Sequence, residues 1–152
     1  MERFALSSMK DKNFSKAANE IYLLTDYHKL QYPDYYKWFY GKNIPRVISK
    51  SGEIYFYLDG LEVVGLTILK KGFEDKICTF MVNPDYRKQG FSSRLLEDSF
   101  EFLGTDKPLI TIPQKRLDEF SSIIDFYGWV EDETINDYYS PEIVFNKKRK
   151  TK

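Results

Sequence analysis

The chain has one cysteine, one histidine and no net charge, with 23 basic residues set against 23 acidic ones. The single thiol, Cys78, excludes an internal disulfide framework and fits a reducing compartment, so a cytoplasmic location is expected. With His28 alone, no His/Cys cluster has metal-ligand spacing, and no metal site is expected. No apolar run approaches the roughly 20 residues of a membrane span. The apolar part of the N-terminus is too short for a signal peptide. The charge balance is uneven, because Lys147 to Lys152 contributes five of the 23 basic residues, leaving a mildly acidic body. That argues against a nucleic-acid-binding body. No internal repeat is present. What the chain does have is core-forming material: 42% hydrophobic and 17% aromatic residues in 152. A single domain over 1–146 is expected, followed by a basic, disordered tail at 147–152.

The most informative stretch runs from Ile77 to Leu96. Ile77 to Val82 is apolar and β-branched, as in a buried strand, and Asn83-Pro84-Asp85 ends it with turn chemistry. Tyr86-Arg87-Lys88-Gln89 then leads to Gly90 and an amphipathic helix from about Phe91 to Leu103. This order sets two cations beside the unpaired amides of a helix N-terminus, a place suited to phosphate. Neither a P-loop nor a Rossmann glycine pattern is present.

Elsewhere, 13–24 reads as a helix with Ser15 as N-cap and Ala17, Ala18, Ile21 and Leu24 on one face. Pro33 begins a second helix that Gly41 stops. Between Tyr27 and Tyr40 lie Tyr32, Tyr35, Tyr36, Trp38 and Phe39. These form either one wall of an acceptor pocket or ordinary packing, and packing is the better reading for Trp38 and Phe39. Glu53–Leu58 and Leu61–Leu69 flank the hairpin signal Asp59-Gly60, and Gly65 suggests a bulge or close backbone approach. Gly104 closes the helix after Gly90, and Leu109 to Ile112 follows as a central strand. Strand, helix, strand in this order favours a parallel pair. Leu117, Phe120, Ile123, Ile124 and Tyr127 recur on one helical face, and Gly128 stops that helix. Trp129–Thr134 and Glu142–Phe145 make two final strands.

Arg87-Lys88-Gln89-Gly90-Phe91-Ser92, preceded by Val82-Asn83-Pro84-Asp85-Tyr86, resembles the acetyl-CoA loop of the GNAT superfamily of N-acetyltransferases. That loop is Gln or Arg, two residues, Gly, one residue, then Gly or Ala; the final position departs here, with Ser92. The element order is similar to the GNAT fold over about 13–146, and Phe126-Tyr127-Gly128-Trp129 looks like that family's helix-to-strand junction. The resemblance implies an α/β (α+β) fold: a mixed, mostly antiparallel central sheet with a splayed parallel pair and about four helices. It implies acetyl-CoA as co-substrate, with Phe80 and Val82 bonding pantetheine through their backbones and Arg87, Lys88, Gln89, Gly90, Phe91, Ser92 and Ser93 cradling the phosphates. A backbone N–H near Met81 or Val82 would polarise the thioester.

Where many members of that family carry the tyrosine that protonates the departing thiolate, this chain has Ile124. Tyr139, or Tyr138 on the opposite strand face, is the alternative proton donor. Glu53, Glu62 and Asp137 are open as bases, while His28 reads as a loop or surface residue. The leading reading is an N-acetyltransferase acting on a small-molecule or peptide amine, with no membrane partner. A homodimer is an open option. Two other readings stand beside it: a CoA-binding module without catalysis, and an RNA-associated acetylase using the basic tail.

Overall fold

The computed structural model describes residues 1–136 and 141–147. Its centre is a seven-stranded sheet of order β1-β2-β3-β4-β5-β7-β6, with strands β1 (Arg3–Ala5), β2 (Gly52–Asp59), β3 (Glu62–Lys70), β4 (Lys76–Val82), β5 (Leu109–Pro113), β6 (Glu131–Ile135) and β7 (Glu142–Phe145). Only β4 and β5 pair in parallel; the other neighbours are antiparallel. β1 was not foreseen: three residues with no clear alternation carry little signal.

The β2–β3 hairpin closes on Asp59 opposite Glu62, with Gly60 at φ 62° in the turn. The turn therefore takes in Leu61 as well, which is 95% exposed. A register shift after Tyr57 makes the expected irregularity near Gly65. A Cβ at Gly65 would lie 2.9 Å from Leu95 Cδ1 and 3.0 Å from the Met81 carbonyl, so a side chain there would push the following helix off the sheet.

Helix α1 (Asp11–Thr25) starts a turn before the expected Ser15 cap, which is exposed inside the helix. It buries Ala18, Ile21 and Thr25, whereas Leu24 is 40% exposed. Gly41 does not stop the second helix. The short helix α2 (Tyr35–Trp38) passes into a π-helical turn at Phe39–Asn43 and on into α3 (Ile44–Ser49). Pro45 supplies the reason: its ring would clash with the carbonyl four residues back, that of Gly41, and the wider π turn relieves this. With α2 to α3 counted as one body, α4 (Phe91–Leu103) and α5 (Leu117–Tyr127) complete the four helical bodies expected.

Two cores fill the two faces of the sheet. On one, Leu95, Leu96 and Leu103 of α4 and Phe120 of α5 pack on Ile77, Phe80, Ile110, Ile112 and Phe145. On the other, Ile21, Tyr35, Phe39 and Val47 pack on Ile54, Phe56, Leu66 and Ile68. Trp129, expected in the sixth strand, instead sits before it, buried, with its indole N–H donating to the Asp106 carbonyl at 2.8 Å. Among the described residues no helix is long and apolar enough to cross a membrane.

Candidate active site

β4 and β5 pair only at Lys76 with Leu109 and Ile77 with Ile110, and then part. The antiparallel ladder tells which β4 groups this leaves free. The Asn83 N–H donates to the Val64 carbonyl at 2.7 Å, and Leu66 faces Met81 in the same register. Inward and outward bonding alternates along such a ladder, so Met81 is committed to β3, and the backbone groups of Phe80 and Val82 point into the gap. These are the two residues expected to offer their backbones to a pantetheine, and they face the gap. The Met81 amide, by contrast, is engaged and is not a free donor.

At the C-terminal end of β4, Asn83 folds the chain by accepting the Asp85 N–H on its side chain at 3.0 Å. The Tyr86 hydroxyl ties the loop to the β2–β3 hairpin by donating to Asp59 at 2.6 Å and Glu62 at 3.0 Å. Lys88 and Gly90 take left-handed φ values of 64° and 85°. The first helical bond outside α4 is from Arg94 N–H to the Gly90 carbonyl, so the amides of Phe91, Ser92 and Ser93 have no backbone acceptor. A Cβ on Gly90 would meet nothing within 4 Å, so the backbone there faces open space. Phe91 is buried against Tyr57 and Tyr86, which leaves only its amide for a ligand. Arg87 reaches across to α5, 3.3 Å from Glu119, which also lies 3.2 Å from Arg116.

On the α1–α3 side the gap opens into a cleft of ≈ 550 Å³. Tyr27, His28, Tyr32, Tyr35 and Trp38 form one wall, and Cys78 to Phe80 with Ile110 to Pro113 form the other. The aromatic cluster therefore divides. Trp38 joins the tyrosines of the wall, against the expectation of packing alone, while Phe39 is core, and Tyr36 and Tyr40 pack against Tyr22. His28 stands in the cleft with Nε2 3.4 Å from Thr79 Oγ1. Burial, with Arg116 nearby, pushes its pKa down to about 4, so the imidazole is neutral at pH 7. The reading of His28 as an ordinary surface residue is thus corrected.

Glu142 is 4% exposed at the first position of β7, and it accepts the Tyr32 hydroxyl at 2.5 Å. Neither it nor the Tyr32 pairing was foreseen. The available hint was a carboxylate opening a β-branched strand, Glu142-Ile143-Val144-Phe145, where charge is ordinarily exposed. Tyr35 is not a free donor: its hydroxyl bonds Thr25 at 2.7 Å, and burial holds its pKa above the ordinary tyrosine range.

Two of the expected bases, Glu53 and Glu62, do not line the cleft. Glu53 is buried against β1's neighbourhood, accepting from the Ser7 amide and hydroxyl and from the Ile54 amide. Glu62 is taken by Tyr86. Ile124 packs against the core on the α4–α5 face. Tyr138, Tyr139 and Asp137 lie outside the described residues, as does the tail beyond Lys147. Among the described residues no group of His, Cys, Asp or Glu side chains has the spacing to hold a metal.

A sequence model described as Acetyltransferase (GNAT) family matches residues 15–107. Among curated proteins none matches the chain. The fold is similar to that of the ribosomal-protein alanine N-acetyltransferase from Escherichia coli, at TM-score 0.59 and 13% identity over 95% of this chain and 92% of that one. It is also similar to a spermidine N-acetyltransferase chimera from Vibrio cholerae, at TM-score 0.56 and 16% identity, covering 95% of each chain. A Bacillus anthracis acetyltransferase solved in complex with acetyl coenzyme A aligns at TM-score 0.54 and 16% identity over 68% of this chain and 66% of that one. At these identities the likeness is one of fold.

Proposed function

The chain belongs to the GNAT acetyltransferase family, and from that premise we propose that it is an N-acetyltransferase carrying acetyl groups from acetyl-CoA to an amine bound in the cleft. One observation carries the reading. β4 loses its partner after Ile77, and its exposed backbone leads directly to a loop whose helix amides are unpaired.

The residues present fit such a co-substrate. The amides of Phe91, Ser92 and Ser93, with Arg87 and Lys88, suit a pyrophosphate. The unpaired groups of Phe80 and Val82 suit the pantetheine amides by strand addition. Acetyl-CoA supplies an activated thioester, and the chain supplies position and proton handling. A backbone donor in the gap, at Phe80 or Val82, meets the charge that develops on the carbonyl oxygen. The acceptor enters from the aromatic wall, where neutral His28 and the Tyr32–Glu142 pair take up its proton, directly or through water. Tyr139, with Tyr138 as the alternative, returns a proton to the departing thiolate. A cytoplasmic location belongs to the same reading and rests on the single thiol.

Ile124, packed in the core, favours the second reading, a CoA-binding module without turnover. Calorimetry and thermal melts with acetyl-CoA test binding, and thiol release over a panel of amines tests catalysis. Binding should raise Tm by mass action. Millimolar acetyl-CoA without heat or shift would sink both readings, and binding with no thiol release from any amine would leave the second.

A further inference from the structure

We propose that the acceptor is a small amine that also carries an anionic group, a carboxylate or a phosphate, and that Arg46, Lys70 and Lys76 hold that group at the end of the cleft where β4 and β5 pair. The inference deepens the N-acetyltransferase reading and rests on it.

Among the described residues the cleft is lined by six cations, Lys42, Arg46, Lys70, Lys76, Lys115 and Arg116, and by one carboxylate, Glu142. Arg116 has its counter-ion in Glu119 at 3.2 Å, and Lys70 has a loose one in Glu74 at 3.9 Å. Lys42, Arg46 and Lys76 have no ion pair or side-chain hydrogen bond among the described residues. Three of these cations come from different elements and meet at one spot. Arg46 is on α3, Lys70 ends β3, and Lys76 begins β4 beside the point where β4 and β5 part. Lys70 and Lys76 are register partners, and Gly52, which faces Lys70 from β2, lies against Arg46, whose Cβ would be 3.0 Å from a side chain placed there. Like charges gathered at a half-enclosed site repel one another, and a bound anion relieves that repulsion.

The phosphates of acetyl-CoA are not that anion. The loop of Arg87 to Ser93 follows the far end of β4. Val82 is six residue steps from Lys76 along β4, which at about 3.3 Å each is roughly 20 Å. One cation set serves each end.

Glu142 gives the complementary half of the argument. It pairs in register with Pro113, while Lys76 pairs with Leu109. Leu109 and Pro113 are four residue steps apart along β5, on the order of 13 Å. Tyr27, Tyr35 and Trp38 line the same cleft. An amine approaching the gap near Phe80 therefore has a carboxylate and aromatic rings on one side and the cation cluster on the other. This is the arrangement for a compact molecule with an ammonium at one end and an anion at the other. A polyamine, the acceptor named for one of the fold neighbours, would drive its second ammonium onto Arg46 and Lys76.

The test uses two matched sets. The first is 4-aminobutyrate, its amide and 1,4-diaminobutane, equal in length and differing only in terminal charge. The second is glucosamine 6-phosphate against glucosamine. Each compound is titrated calorimetrically into the CoA-saturated protein and assayed for thiol release with acetyl-CoA. The anionic member of at least one set should bind and react at least about tenfold better than its neutral partner, with the diamine last. The set with the larger ratio tells carboxylate from phosphate. In Arg46→Gln and in Lys76→Gln the ratio should fall to within about twofold, while the Tm shift caused by acetyl-CoA stays at the parent value and shows the variants folded. Equal treatment of anionic and neutral members, or a preference that survives both substitutions, overturns the inference with the acetyltransferase reading intact. If acetyl-CoA itself fails to bind, that reading falls, and titrations without CoA decide the anion subsite alone.

Discussion

Where β4 runs into α4, the chain presents backbone: the amides of Phe91, Ser92 and Ser93 with no acceptor, reached past a left-handed Gly90. Where β4 begins, it presents side chains: Lys76 opposite Lys70 in the ladder, with Arg46 packed beside Gly52, the other partner of Lys70. The first arrangement is contiguous in sequence and indifferent to side-chain identity, provided the backbone can be approached. The second exists only after folding, and each residue change alters it. A shared co-substrate suits the first kind of site, and a particular acceptor suits the second. This difference explains how one fold can keep its donor and change its acceptor.

The sharpest division between the two ends lies at the chemistry between them. Tyr139→Phe should lower kcat by about 10²–10⁴-fold with the acetyl-CoA Kd nearly unchanged, as expected for loss of a general acid. The acceptor found by the thiol-release panel makes the measurement possible. Retained turnover in this variant with loss in Tyr138→Phe moves the role to the neighbour, and retention in both removes it from the tyrosines.

A smaller effect should separate backbone from side chain at the loop. Gly90→Val places a β-branched residue at φ 85°, in the open space beside the free amides. It should weaken acetyl-CoA at least about tenfold, because it both strains the loop and obstructs the approach. Lys88→Ala removes a screened surface charge and should cost about twofold or less. Titrations giving equal losses for two folded variants would break the contrast.

The smallest effect concerns pH, and it belongs to the cleft. His28 has its pKa depressed to about 4 in the fold, against an ordinary value near 6.5. Between those values the unfolded chain binds more protons, so the stability from neutral His28 is complete above the ordinary pKa and is lost as pH falls through about 4. Tm of the parent should therefore drop more steeply between pH 7 and pH 4 than that of His28→Gln. Parallel curves would show that the ring is better hydrated than its burial implies.

The same contrast decides what could be read before folding. α4 matches its expected bounds because its apolar period, Gly90 and Gly104 all fall in one short stretch. Phe80 and Val82 were placed by analogy, and what the ladder register adds is that their backbone groups face the gap. α3 was missed because Gly41 looks like a stop, and Pro45, four residues on, acts through a π turn that no local period reveals. His28 and Glu142 were missed for a different reason. The partner of each, Thr79 and Tyr32, is far away in sequence. A linker histidine and a strand-opening glutamate look solvent-facing until distant segments close over them.

The brief pairing of β4 with β5 also bears on how the molecule comes together. Two register positions, Lys76 with Leu109 and Ile77 with Ile110, are all the ladder that joins the β1–β4 half of the sheet to the β5–β7–β6 half. The first half closes largely through neighbours in sequence, β2 to β3 to β4. Each half also closes one long connection, β1 to β2 across α1 to α3 and β5 to β7 across α5 and β6. The seam between them is stitched mainly by side chains, with Phe80, Leu96, Phe120, Ile112 and Phe145 in one apolar cluster. The gap is thus also the boundary between the two halves of the sheet, and a ligand bound only by the folded chain there would bridge them and add to their stability.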